Sequence, residues 1–164
     1  MAFSNQLTRV FDKFNFLPEG MRISAFSYAF GLKVPFKNTA GVKIDSLEEL
    51  KAELSLKNKR KAQNHLAQIH ASAMCLLAET ASGLLVGWNL PDESLPLMKS
   101  MKLNFVKRST GGMKAVATLD EEQLAKIRNE PKGEVVVKTI LTDEKQIEPV
   151  ICEMTWAWVP KKRK

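Results

Sequence analysis

Residues 64–83 read "NHLAQIHASAMCLLAETASG" (Asn64–Gly83), and the reading of the whole chain turns on them. Between Ala62 and Pro91 the only formally charged side chain is Glu79, set among Cys75, Leu76, Leu77, Ala78, Ala81 and Leu84. The pattern predicts a helix from about Ala71 to Trp88 that is apolar nearly all round. A buried helix requires that composition and a surface helix does not tolerate it. Gly83 and Gly87 weaken intrinsic helicity but let a neighbouring backbone come close. A carboxylate in such a segment is costly unless it is paired or used.

Upstream the period changes from helix to strand. Val42 and Ile44 alternate with Lys43 and Asp45, and Leu50, Ala52, Leu54 and Leu56 alternate with Lys51, Glu53, Ser55 and Lys57. Alternation of this kind marks half-buried strands. It predicts a hairpin of residues 40–47 and 50–57 turning at Glu48-Glu49. The rival is a capping box, Ser46 to Glu49, that would start a helix instead; the clean alternation that follows favours the hairpin. Nearer the N-terminus, Leu7, Val10, Phe11 and Phe14 fall at helical spacing in Ser4–Phe16. "PEG" (Pro18–Gly20) breaks that helix, and Ile23, Phe26 and Phe30 predict a second one ending at Val34-Pro35.

Downstream, "NLPDESLP" (Asn89–Pro96) reads as a loop. Strands are predicted at Lys99–Arg108, Met113–Leu119, Glu134–Thr142 and Ile147–Val159, with a turn at Ser109–Gly112 and a short exposed helix at Glu121–Asn129. In the last strand Cys152, Met154, Trp156 and Trp158 share one face. Helices, a hairpin, one buried helix and a four-strand meander define an α+β fold with an antiparallel sheet. The chain reads as one domain: a helical extension over residues 1–36, a core over 40–159 and a basic tail over 160–164.

The composition of the 164 residues is that of a globular protein, 45% apolar and 26% charged, with a mean hydropathy of −0.19. No apolar run reaches the ~20 residues of a membrane span. "MAFSNQLTRVFDKFNF" lacks the apolar core of a signal peptide. Cys75 and Cys152 lie in apolar surroundings and read as reduced thiols of a cytoplasmic protein, with no metal site. The net charge of +7 is concentrated in "KNKRK" (Lys57–Lys61), Lys107-Arg108 and "KKRK" (Lys161–Lys164). Each cluster is either a solvated tip or tail, or an attraction for polyanions: cofactor phosphates, an acidic carrier protein or nucleic acid. Charge alone does not choose among these.

An apolar helix wrapped by an antiparallel sheet resembles the hotdog fold. Asn64, then His70 six residues later and Glu79 nine after that, with "HASA" and "LAET" around them, resemble the motif of hotdog acyl-CoA thioesterases. Those enzymes carry Gln or Asn, His, and Glu or Asp at this spacing, commonly within His-Gly-Gly-Ala and Leu-Ala-Glu. The resemblance runs from about Ala40 to Val159, and N-terminal helices occur in some branches. Two departures stand out. The glycines after His are Ala71 and Ser72 here. The Ser or Thr usual four residues after the acid is Gly83, so that Ser82 or Thr80 would have to substitute. The resemblance implies hydrolysis of acyl-CoA or acyl-carrier-protein thioesters, in fatty acid metabolism, with no cofactor beyond the CoA thioester substrate. It further implies two equivalent sites at the interface of a homodimer, alone or as a dimer of dimers, and CoA phosphates near Lys107 and Arg108.

The residue types suit that chemistry. The first free N–H groups of a helix, at Ala71 and Ser72, can bind a developing oxyanion. Asn64 and His70 can hold the carbonyl or a water. Glu79 can act as general base or attack directly to give an anhydride, and an apolar setting raises its pKa toward working pH. Nine helical residues rise about 13.5 Å and turn about 900°, so Glu79 cannot reach the N-terminus of its own helix. Two such helices about a two-fold axis would bring Glu79 of one chain to the helix start of the other.

Plainer readings exist for each residue. Glu79 can be a buried structural acid, His70 a helix cap, and Asn64 a loop closure; His65 has no partner pattern. Trp156 and Trp158 read as packing, as do Met98, Met101 and Met113, which could otherwise line an acyl tunnel. Among functions, a non-catalytic acyl-thioester-binding module is the main rival, and the missing glycines fit it. A hydratase would need a different acid–His spacing. Nucleic-acid binding ranks last, because no recognition helix or aromatic platform accompanies the basic clusters.

Overall fold

The computed structural model describes residues 3–161, so the last three residues of the "KKRK" tail lie outside the described residues. Helix α4 (Ala71–Asn89) forms the centre, packed on one face of a six-stranded antiparallel sheet. The strands are β1 (Val42–Leu47), β2 (Lys51–Leu56), β3 (Ser94–Phe105), β4 (Met113–Thr118), β5 (Gly133–Asp143) and β6 (Val150–Pro160). Helices α1 (Gln6–Asp12), α2 (Glu19–Lys33), α3 (Pro35–Ala40) and α5 (Glu121–Asn129) complete it. This is the α+β hotdog arrangement.

α4 sits close to the sheet because small residues lie beneath it. Ala52, Ala115 and Ala117 on the strands are fully buried, as are Leu77, Ala78, Ala81 and Leu85 on the helix. By length and composition α4 could cross a membrane; packing against the sheet accounts for its apolar character here. Its C-terminus is tied down by Asn5. The Asn5 Nδ2 donates to the carbonyls of Gly87, Trp88 and Leu90 at 2.8–3.0 Å. The same residue caps α1, its Oδ1 accepting from the Leu7 and Thr8 amides. Phe26 of α2 is fully buried and meets Phe11 and Trp88 edge to face, which seats the N-terminal helices on the core.

The hairpin forms as expected: Val42 pairs with Leu56, and the Glu48 amide donates to the Lys51 carbonyl at 2.8 Å to close the turn. The Ser46–Glu49 capping box does not start a helix. Three expectations are corrected. The first helix spans only Gln6–Asp12, and turns carry Phe14 onto the core before Pro18. Val34-Pro35 ends α2 but also starts α3, because a proline at the first helical position sacrifices no hydrogen bond. The four downstream strands are not a simple meander: the order is β1-β2-β4-β5-β6-β3. β3 lies at the far edge, paired only with β6, and begins at Ser94, five residues before the expected start. An edge strand tolerates Pro96, whose missing N–H would break a central ladder.

Candidate active site

The strap of residues 57–70 presents the start of α4. The Ala62 carbonyl accepts the His70 amide at 2.8 Å, and Gln63 bridges to Ile69. Within the strap the Asn64 Oδ1 accepts from the Leu66 and Gln68 amides at 2.9 and 3.2 Å. Asn64 therefore closes the loop through its oxygen, while its Nδ2 makes no hydrogen bond among the described residues. His70 is the N-cap of α4, its Nδ1 accepting the Ser72 amide at 3.1 Å. That bond occupies one of the two N–H groups expected to bind an oxyanion. The Ala71 amide, on an exposed residue, makes no hydrogen bond among the described residues.

Glu79 lies two turns further along, about 12 Å up the axis from Ala71. It is half-buried on a stripe of α4 that the sheet leaves partly open, with Ser72, Cys75, Leu76 and Gly83. Burial pushes its carboxyl above the ordinary 4.5, opposed only by a long hydrogen bond donated by the Thr80 hydroxyl at 3.4 Å. No cation pairs with Glu79 among the described residues.

Ser82 does not open onto this stripe, and Gly83, although on it, is covered by a side chain of the sheet. Ser82 is fully buried: its hydroxyl donates to the Ala78 carbonyl at 2.8 Å and accepts the Trp156 Nε1–H at 2.9 Å. Gly83 lies under the same indole, where an added Cβ would stand 2.4 Å from Cζ2. The Ser82 hydroxyl is thus committed to the join between helix and sheet, and the ring of Trp156 leaves no room for a side chain at Gly83. Thr80 is buried beside Glu79.

Beside α4, the inward face of β3 is only partly covered. Met101 and Phe105 pair with the buried Met154 and Val150, so they point toward the helix layer, yet stay 44% and 50% exposed. Sequence periodicity did not single out Phe105; its signal is an apolar residue on an edge strand with no helix above it. Burial pushes the Cys152 thiol, which lies in this region and donates to the Thr139 carbonyl, up to about 11. Burial raises that of Cys75 as well. Both are free thiols, and burial disfavours the thiolate form of each. Lys107 and Arg108 are exposed on the loop after β3, where the Lys107 amide donates to the Pro149 carbonyl.

Asn64, His70, Ala71 and Ser72 therefore gather at the start of α4, and Glu79 stands apart from them in the same chain. A cavity of about 630 Å³ lies among β3, β5 and β6, lined by Lys102, Lys138, Ile140, Ile151 and Cys152. None of the gathered residues borders it. Among the described residues no group of three His, Cys, Asp or Glu side chains converges as metal ligands would.

An antiparallel sheet wrapped on one apolar helix, with the Asn64–His70–Glu79 set around that helix, defines a hotdog-fold protein. The chain belongs to the family described as Domain of unknown function (DUF4442), whose model matches residues 22–159. No curated protein matches the sequence significantly. Among solved structures, a Pseudomonas aeruginosa protein described as a probable thioesterase is similar at 23% identity, covering 82% of this chain and 93% of its own, with a TM-score of 0.71. A thioesterase from Haemophilus influenzae shares 15% identity over 78% of this chain and 85% of its own, TM-score 0.64. A thioesterase from Staphylococcus aureus shares 22% identity over 77% of this chain and 99% of its own, TM-score 0.63.

Proposed function

We propose that this protein hydrolyses acyl thioesters of CoA or of a carrier protein, at a site built from two copies of the chain. The observation that carries the reading is Glu79, a half-buried carboxylate with a raised pKa and, among the described residues, no cationic partner, on an open stripe of the central helix. A base needs that combination, and a structural acid would be expected to find a partner. The kinds of protein that share the fold support thioester chemistry. So does one spacing: the Staphylococcus aureus protein has been prepared with a glutamine and, separately, a glutamate replaced by alanine, fifteen positions apart. Asn64 and Glu79 are separated by the same interval.

In this reading the thioester oxygen sits against the free Ala71 amide and the Asn64 Nδ2. The partner chain's copy of the acid takes a proton from water, and the hydroxide adds to the carbonyl carbon. The tetrahedral intermediate collapses with cleavage of the C–S bond, and the protonated carboxyl returns its proton to the departing thiolate. Direct attack by the carboxylate would give an anhydride that water opens. Met101 and Phe105 form the apolar wall for the acyl chain. The homodimer, with a dimer of dimers as its extension, and a cytoplasmic setting for the two free thiols belong to the same proposal.

One observation favours a second reading, a module that binds acyl thioesters without turnover: His70 already occupies the Ser72 amide, leaving a single backbone donor for the oxyanion. Release of free CoA from a panel of short, medium, long and aromatic acyl-CoAs separates the two. Hydrolysis is expected, falling at least ~100-fold in Glu79→Gln. Activity of the parent should rise with pH through an apparent pKa above 4.5, since the base works deprotonated and burial raises it. Binding without release would establish the second reading, and full activity in Glu79→Gln would refute the role of Glu79.

A further inference from the structure

The "KNKRK" run is not a flat tip. Lys57, Lys59 and Lys61 converge with Lys43 of β1 on a cavity of about 260 Å³ floored by Gly41 and Ser55. Gly41 has φ +88°, and a Cβ there would stand 3.2 Å from the Lys61 Cε, so glycine both turns the chain and leaves room for the lysine stem. The Lys61 Nζ reaches the Asn38 carbonyl at 3.5 Å. Asp45 lies 3.8 Å from the Lys43 Nζ. Asp143 and Glu144 line the adjoining cavity that shares Ser55 and Lys57, yet Lys57, Lys59 and Lys61 form no ion pair among the described residues. The Ser55 hydroxyl makes no hydrogen bond of its own among the described residues. Four lysine side chains around one small concavity give it a positive potential that favours a multiply charged anion.

The cavity also stands in a telling place. Lys61 adjoins Ala62, whose carbonyl holds the His70 amide, and the strap folds back on itself through Asn58 Nδ2 to the Ala67 carbonyl and Gln63 Nε2 to Asn58 Oδ1. One short strap thus carries the lysines at one end and the cap of α4 at the other.

We infer that this lysine cavity is the phosphate subsite of the protein, holding the clustered phosphates of the nucleotide end of CoA. The inference rests on the thioester reading above and assigns its substrate class. Lysine ammonium groups suit phosphates as point charges. A concavity of this size accepts a phosphate cluster, whereas an acidic carrier protein would be met by a broad or projecting surface.

The test is calorimetric binding of CoA and of dephospho-CoA, which lacks the 3′-phosphate, to the parent and to a Lys57→Gln/Lys59→Gln/Lys61→Gln variant. All three positions are exposed, and circular dichroism verifies the fold. The parent is expected to prefer CoA, with affinity that falls steeply with salt. The variant is expected to lose at least ~10-fold in affinity and most of the salt dependence. In turnover, KM for acyl-CoA should rise with kcat unchanged, while hydrolysis of acyl-pantetheine, which has no nucleotide, should not change. Unaltered CoA binding in the variant overturns the inference. So does an equal loss in Lys107→Gln/Arg108→Gln, or a lysine dependence confined to acyl-carrier-protein. Since CoA binding is read without turnover, CoA binding through the lysines with no hydrolysis sinks only the thioesterase reading. Hydrolysis of acyl-pantetheine without CoA binding sinks only the phosphate subsite.

Discussion

Ser82 and Glu79 sit one turn apart on α4 and behave in opposite ways. Ser82 closes its hydrogen bonds inside the chain, donating to Ala78 and accepting from the Trp156 indole. Replacing it with alanine leaves a buried indole N–H without an acceptor, which costs about 1–3 kcal/mol. Ser82→Ala should therefore lower the denaturant midpoint while leaving turnover per folded site close to that of the parent. Glu79 meets no such closure. Its folded pKa is raised, so its contribution to stability is present at low pH and is lost as pH rises through the folded value. Glu79→Gln is accordingly expected to abolish activity without lowering stability at neutral pH, the trade expected of a residue kept for function.

Among the elements, those with a clean period were legible from sequence. The β1–β2 hairpin and α4 stand where alternation and an apolar run put them, within a residue or two. α3 was not legible, because Pro35 reads as a stop and only packing reveals it as a start. The position of β3 was not legible either, since its partner β6 lies some fifty residues away and no local pattern records that pairing. For the site, the spacing of Asn64, His70 and Glu79 was visible. The capture of the Ser72 amide by His70, the commitment of Ser82 to Trp156 and the recruitment of Lys43 to the basic run were not. They depend on side-chain directions across elements.

α3 carries its own prediction. Lys37 is 2% exposed, donates to the Ser27 carbonyl and hydroxyl at 2.6 and 2.9 Å, and reaches Asn38 at 3.2 Å, with no carboxylate partner among the described residues. Burial lowers its pKa to about 8 from 10.5. Between those values the unfolded chain binds more protons than the folded one, so this group makes stability rise with pH, by up to roughly 3 kcal/mol. In Lys37→Met that rise between pH 8 and 10.5 should be lost, as read from unfolding free energies across the range.

At the scale of the whole molecule, one chain holds apart the two groups of residues proposed for the site. Ala71 and Asn64 lie at one end of α4, and Glu79 lies about 12 Å along it. β3 forms a twelve-residue edge with no strand on its outer side among the described residues, its inward Met101 and Phe105 still open to solvent. An apolar edge of that length is a liability unless it is covered. In the proposed dimer, a second copy related by a two-fold axis would cover this edge and join the two groups into two equivalent sites.

Mixing two inactive variants tests this most directly. Glu79→Gln lacks the base, and a double variant, Asn64→Ala with His70→Ala, lacks the other half. If each site takes its acid from one chain and its helix start from the other, unfolding and refolding the two together at equal amounts restores one intact site in each mixed dimer. About a quarter of the parent thioesterase activity should return. A mixture as inactive as its components would contradict the two-chain site.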